Sequence, residues 1–155
     1  MSLQNLLKIG QIKAHPPDAV EVQQLLGAAG RNLADARVTT ISPETRFDAG
    51  YKAIMQASLA ALMANGFRPD TNRPGHHVTV VQGLALTIGL APGRITILDT
   101  LRRKRNLSDY TGDDIDDSSV EHCIAEAEQL LKDVTGWLNA QQPQLLLPQA
   151  NRHPR

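Results

Sequence analysis

At 155 residues the chain is long enough for one domain with a real core, and a composition of 41% hydrophobic and 21% charged residues excludes extended disorder. Sixteen basic and sixteen acidic side chains cancel, so no whole-molecule field draws the protein to nucleic acid or anionic lipid, and any such binding needs a local patch. A single cysteine, Cys123, excludes an internal disulfide framework and points to a reducing compartment, the cytoplasm.

Met1 to Lys13 lacks the basic start, apolar centre and small-residue cleavage site of a secretory signal. No stretch approaches the roughly twenty apolar residues of a membrane span, so no membrane partner is expected. Residues 1–17 read as a leader closed by Pro16-Pro17-Asp18. Beyond it, Val22, Leu25, Leu26, Ala29, Leu33 and Ala36 recur at steps of three and four and predict an amphipathic helix near 18–36. Ser42-Pro43-Glu44 then supplies a cap, a proline at the first helical position and an acid in the positive first turn. A second helix near 43–65 carries its stripe through Phe47, Tyr51, Ile54, Met55, Leu59 and Leu62, and Gly66 stands where a left-handed terminator belongs.

Phe67 to Gly75, with two prolines and several polar residues, reads as a loop leading to His76 and His77. The middle of the chain admits two drawings. Val78 to Val81, Leu86 to Leu90 and Arg94 to Leu98 are rich enough in branched residues for strands and a hairpin. Two helices, near 76–90 and 94–107, are preferred because Ile95, Leu98, Leu101 and Arg105 repeat at three and four among strong helix formers. An acidic turn, 113–117, precedes Ser118-Ser119-Val120-Glu121, where Ser and Glu have capping-box spacing. The last helix starts there and runs to near 140, striped by Val120, Ile124, Ala127, Leu131, Val134 and Leu138. The tail, 141–155, is either a latch or disordered.

The densest positive charge is Arg102-Arg103-Lys104-Arg105. One reading makes it a run that suits the negative end of its helix and pairs with the acidic turn. The other starts from Leu98, Leu101 and Arg105 sharing one helical face, which aims Arg105 at the core or an interface, where an arginine needs an anionic partner. The His76-His77 pair lacks a third ligand at helical spacing, so no metal site is expected. His122 and Cys123 are likewise adjacent but isolated, and no phosphate-cradling glycine loop or nucleophile elbow occurs. Glu44, Arg46 and Asp48 serve either as capping and surface pairs or as orienters of the basic motif.

Arg105-Asn106 with an aromatic residue four positions past the asparagine, on the penultimate long helix, resembles the HEPN superfamily of nucleotide- and RNA-associated helical domains. Ser42 to Phe47, Tyr51-Lys52-Ala53, Gly66-Phe67-Arg68-Pro69 and Gly75-His76-His77 look like small bacterial members, so the likeness covers roughly 18–140. The resemblance implies an all-α fold: an up-and-down bundle of four to five helices, dimerised so that two arginine motifs meet in a cleft. It implies a metal-independent, toxin-type ribonuclease without cofactor, acting through an Arg, a polar residue and a His, with a cognate antitoxin or other protein as a further partner. Carried over, Arg105, Asn106 and Tyr110 form the catalytic motif, and Arg102, Arg103, Lys104, His76 and His77 bind phosphate or RNA. Tyr110 stands in the histidine's place, and a phenol with a reference pKa near 10 is a poor proton acceptor at neutral pH. Binding of an RNA or nucleotide phosphate, with endoribonuclease activity reduced or lost, is therefore the expectation. The alternative is a non-catalytic protein-interaction module in which Arg105 and Asn106 fix an interface.

Overall fold

The computed structural model describes residues 1–149, so the last six residues of the tail lie outside the described part. Near the start, Leu3–Lys8 form α1, capped by the Ser2 hydroxyl accepting from the Asn5 N–H. A short strand β1 (Ile12–Ala14) pairs antiparallel with β2 (Phe67–Pro69), Ile12 opposite Pro69 and Ala14 opposite Phe67. Two expectations change here. The leader is folded onto the bundle, because its Leu6 and Ile12 bury with Leu62 and Val80 in a small second core, and the first residues of the 67–75 loop are extended to complete the pair.

The first two long helices begin where the sequence places them. Asp18 opens α2 (Ala19–Ala36), its carboxylate accepting from the Val20 and Glu21 N–H groups. Ser42 opens α3 (Pro43–Ala64) by accepting from the Thr45 N–H, with Pro43 in the first turn. Just past the C-cap, Gly66 takes φ 93°, the left-handed conformation a glycine adopts without a Cβ clash. The segment expected as one helix over 76–90 is instead α4 (His76–Gln82) and α5 (Leu84–Thr87), parted at Gly83. Helix α6 (Pro92–Thr111) starts earlier and ends later than the predicted 94–107, since Pro92 tolerates a first turn and no breaker intervenes before Gly112. The hairpin drawing of 78–98 is not adopted; those residues are helical or connect helices. For α7 (Asp117–Gln141) the cap is Asp116, whose carboxylate accepts from both the N–H and the hydroxyl of Ser119. The expected Ser118–Glu121 box gives way to an ionised acceptor two residues earlier, better suited to the positive end of a helix.

Cross-helix contacts fix the directions. Arg46 binds the Ala36 carbonyl while Gln56 binds Asn32, so α2 and α3 run antiparallel. Lys104 reaches Asp116 while Arg94 reaches Glu126 and Asp133, so α6 and α7 do likewise. This is the all-α, up-and-down arrangement, two helical hairpins joined through α4 and α5. Helix α3 lies at its centre. Phe47, Tyr51, Ile54, Ala57 and Ala61 are almost wholly buried, meeting Val22, Ala29 and Leu33 of α2 and Val120, Leu130 and Val134 of α7. Burial of each large aliphatic side chain contributes about 1.5–3 kcal/mol. After α7 the chain turns through a short 3-10 segment, Pro143–Leu146, that buries Leu145 and is held by Gln23, which donates to the Leu145 and Leu147 carbonyls at 2.9 and 2.7 Å. This part of the tail is a latch.

Candidate functional site

Helical spacing puts Asp99, Arg102, Arg105 and Asp109 on one face of α6, and Asp48, Tyr51 and Lys52 on one face of α3. The start of α4 brings His76 and His77 to the same place. Arg105 is held through its Nε, 3.1 Å from Asp48 Oδ1 and 3.2 Å from Asp109 Oδ2. Its guanidinium carbon lies 5.3 Å from the centre of the Tyr51 ring, within reach of a cation–π attraction. Both ionic contacts fall on Nε, and among the described residues no hydrogen bond engages Nη1 or Nη2. The two nitrogens that form the bidentate edge of an arginine are thus available to an anion.

Tyr51 links this arginine to a histidine. Its ring is buried, and its hydroxyl lies 3.2 Å from His77 Nδ1. Burial pushes the phenol up to about 12, against the pull of Arg105 and Arg102, so it keeps its proton. His77 is shifted the other way. Desolvation first, then His76 and the two arginines, hold its imidazole below the ordinary value, which leaves it neutral at neutral pH. His76 stands edge-on to it, ring centres 4.7 Å apart.

The rest of the basic run is paired. Arg102 Nε lies 2.9 Å and Arg103 Nη2 3.0 Å from the two oxygens of Asp99, and Lys104 Nζ lies 3.4 Å from Asp116. Lys52 lies 3.9 Å from Asp48. Set against Asp48, Asp99 and Asp109, the four cations Lys52, Arg102, Arg103 and Arg105 leave one positive charge in excess.

Of the residues singled out in the sequence, Arg102, Arg105, His76 and His77 come together. Arg103 and Lys104 lie along the same helix in their own ion pairs. Asn106 makes no side-chain hydrogen bond among the described residues. Tyr110 is 91% exposed and is not among the residues that touch Arg105. Asp48, singled out as a possible orienter, is a direct partner of Arg105, whereas Glu44 accepts from the Ile115 N–H and Arg46 is a buried strut to the Ala36 carbonyl and Glu121. Two members were not foreseen. Tyr51 stands in the sequence on an apolar stripe and among the pieces of the resemblance, with no role at a site, and Asp99, three residues before Arg102, carries a helical ion-pair spacing that is legible in the sequence.

Away from this cluster, Cys123 is buried against the Phe47 carbonyl, its thiol pushed up to about 12 by desolvation, while His122 points outward within 4.0 Å of Glu126. Among the described residues no group of three or more His, Cys, Asp or Glu could hold a metal ion, and no helix is long and apolar enough to cross a membrane. No family model, curated protein or solved structure matches the chain.

Proposed function

We propose that the chain is a HEPN-like, homodimeric cytoplasmic domain that binds an RNA or nucleotide phosphate, with metal-independent endoribonuclease activity reduced or lost. The observation that carries this reading is the open Nη edge of Arg105, oriented from below by Asp48 and Asp109 and flanked by the neutral His77. An arginine held by its Nε and offering two parallel N–H groups is suited to two phosphate oxygens. Arg102 adds positive potential, and Asn106 lies one residue on. Exposed Tyr110 suits stacking on a base or contact with a second subunit better than proton transfer. The homodimer is supported by exposed apolar residues. Val38 and Ile41, between α2 and α3, and Leu107 and Tyr110, late in α6, stand at the same end of the bundle. A cognate antitoxin or other protein is the further partner this reading admits.

A second reading has its own support. All four cations of the run meet an acid within the chain, as in a structural motif that fixes an interface for another protein. The deciding experiment is binding and cleavage of labelled mixed-sequence RNA, in chelator, by the wild type and by Arg105→Ala, with size-exclusion chromatography on both. Binding lost in a mutant of unchanged assembly state supports the phosphate site. An RNA-silent wild type, with a mutant whose assembly or stability falls, supports the interaction module.

A further inference from the structure

We propose that Tyr51 is a positioning residue that fixes His77 as the tautomer protonated on Nε2, so that this ring meets an incoming phosphate with an N–H donor. This rests on the phosphate-binding reading and specifies its chemistry.

The argument begins with a hydroxyl hydrogen. Tyr51 is 1% exposed, and His77 Nδ1 is the hydrogen-bond partner of its Oη. Two assignments are open to this pair. If Nδ1 carried the proton and donated to Oη, the phenolic hydrogen would be left in the interior with no acceptor among the described residues, a costly unsatisfied donor. If the phenol donates, Nδ1 is the acceptor and both groups are satisfied. A neutral imidazole that accepts at Nδ1 carries its hydrogen at Nε2.

The cationic neighbours act to keep the ring in that state. Arg105 lies over the face of Tyr51, and Arg102 lies near enough to disfavour a further positive charge on His77; His76 acts in the same sense. Asp48 and Asp99 are engaged by Arg105 and by Arg102 with Arg103, and neither is bonded to the imidazole. Among the described residues no hydrogen bond engages His77 Nε2. Arg105 Nη1 and Nη2 and His77 Nε2 then make a set of N–H donors with no lone pair among them. Such a set recognises phosphate oxygens. In this tautomer His77 itself has no free lone pair to accept the proton of a ribose 2′-hydroxyl, because Nδ1 is occupied by the Tyr51 hydroxyl.

Long-range nitrogen–proton NMR on the ¹⁵N-histidine-labelled full chain reads this directly, with His77→Gln to assign the signals. In the wild type at neutral pH, His77 Nδ1 should give an unprotonated, hydrogen-bonded signal and Nε2 a protonated one, and inorganic phosphate should shift Nε2. In Tyr51→Phe, which keeps the ring in place, the Nδ1–H form should gain population and the His77 titration should move upward. A wild type with the proton on Nδ1, still responsive to phosphate, would overturn the positioning role while leaving the binding site standing. The stated tautomer with no phosphate response in the wild type would overturn the donor set as a phosphate grip, and with it the function on which it rests.

Discussion

Arg105 Nε lies 3.1 Å from Asp48 Oδ1, joining α6 to α3 across 57 positions of chain. The pair both ties the two helices and turns the free edge of the guanidinium outward, but it also sets a negative charge beside a site proposed to take an anion. Asp48→Asn separates these effects. Both partners are partly exposed, so the fold should lose less than about 1 kcal/mol. Affinity for labelled single-stranded RNA should rise by about fivefold, equivalent to ~1 kcal/mol. Fluorescence anisotropy beside urea unfolding measures both quantities; weaker RNA binding in a fully folded variant would contradict the assignment of Arg105.

His77 binds its proton less readily in the folded chain than in the unfolded one, chiefly because it is desolvated. Its stabilising contribution is therefore complete above the unfolded value of about 6.5 and is lost as pH falls from there through the lower folded value. Urea unfolding of the wild type and His77→Gln should show the difference between them shrinking from about pH 8 to about pH 5. A difference that grows on acidification would mean that folding raises, rather than lowers, proton affinity at this ring.

Gly50 of α3 packs against Cys123 of α7. A Cβ at that position would lie 3.0 Å from Cys123 Sγ. Gly50→Ala gains up to about 1 kcal/mol in helix propensity but overpacks a buried contact at a cost of about 1–3 kcal/mol, so the wild-type background should be destabilised. In Cys123→Ala the sulfur is gone and the same change should stabilise. A double-mutant cycle with coupling near zero would show that the two helices can part freely here.

Leu145 closes the short segment after α7 and is buried. Leu145→Ala should cost about 2–4 kcal/mol of unfolding free energy and leave RNA binding per folded molecule unchanged, since the latch rests on α2 and α7. Loss of binding in a protein still folded at the assay temperature would tie the tail to the site.

The long helices were legible because period and punctuation agree in them. The stripe from Val22 to Ala36, the Ser42-Pro43 start and the stripe from Val120 to Leu138 each specify one solution. Arg105 was also legible, since sharing a face with Leu98 and Leu101 left it only partly exposed, with acids against it. What periodicity cannot carry is which helix a face will meet. Tyr51 and His77 are 26 positions apart, and a stripe that calls Tyr51 apolar says nothing of where its hydroxyl ends. The break at Gly83 was missed because its backbone stays near-helical, φ −63° and ψ −16°, so the sequence around it keeps a helical pattern. The β1–β2 pair was missed for a different reason: two three-residue strands are too short to show alternation, and their pairing depends on the small core formed by Leu6, Ile12, Leu62 and Val80.

That small pair has a mechanical consequence. Arg73 donates to the Ile9 and Gly10 carbonyls, Lys13 reaches Asp70, and β1 is laced to β2, so the first fourteen residues grip the segment that delivers His76 and His77. Tension applied at Met1 would travel through these chain-to-chain contacts towards the start of α4. The N-terminus is in effect a tether on the histidine, and a bulky fusion placed there loads the very element that aims it, whereas one placed beyond the latch does not.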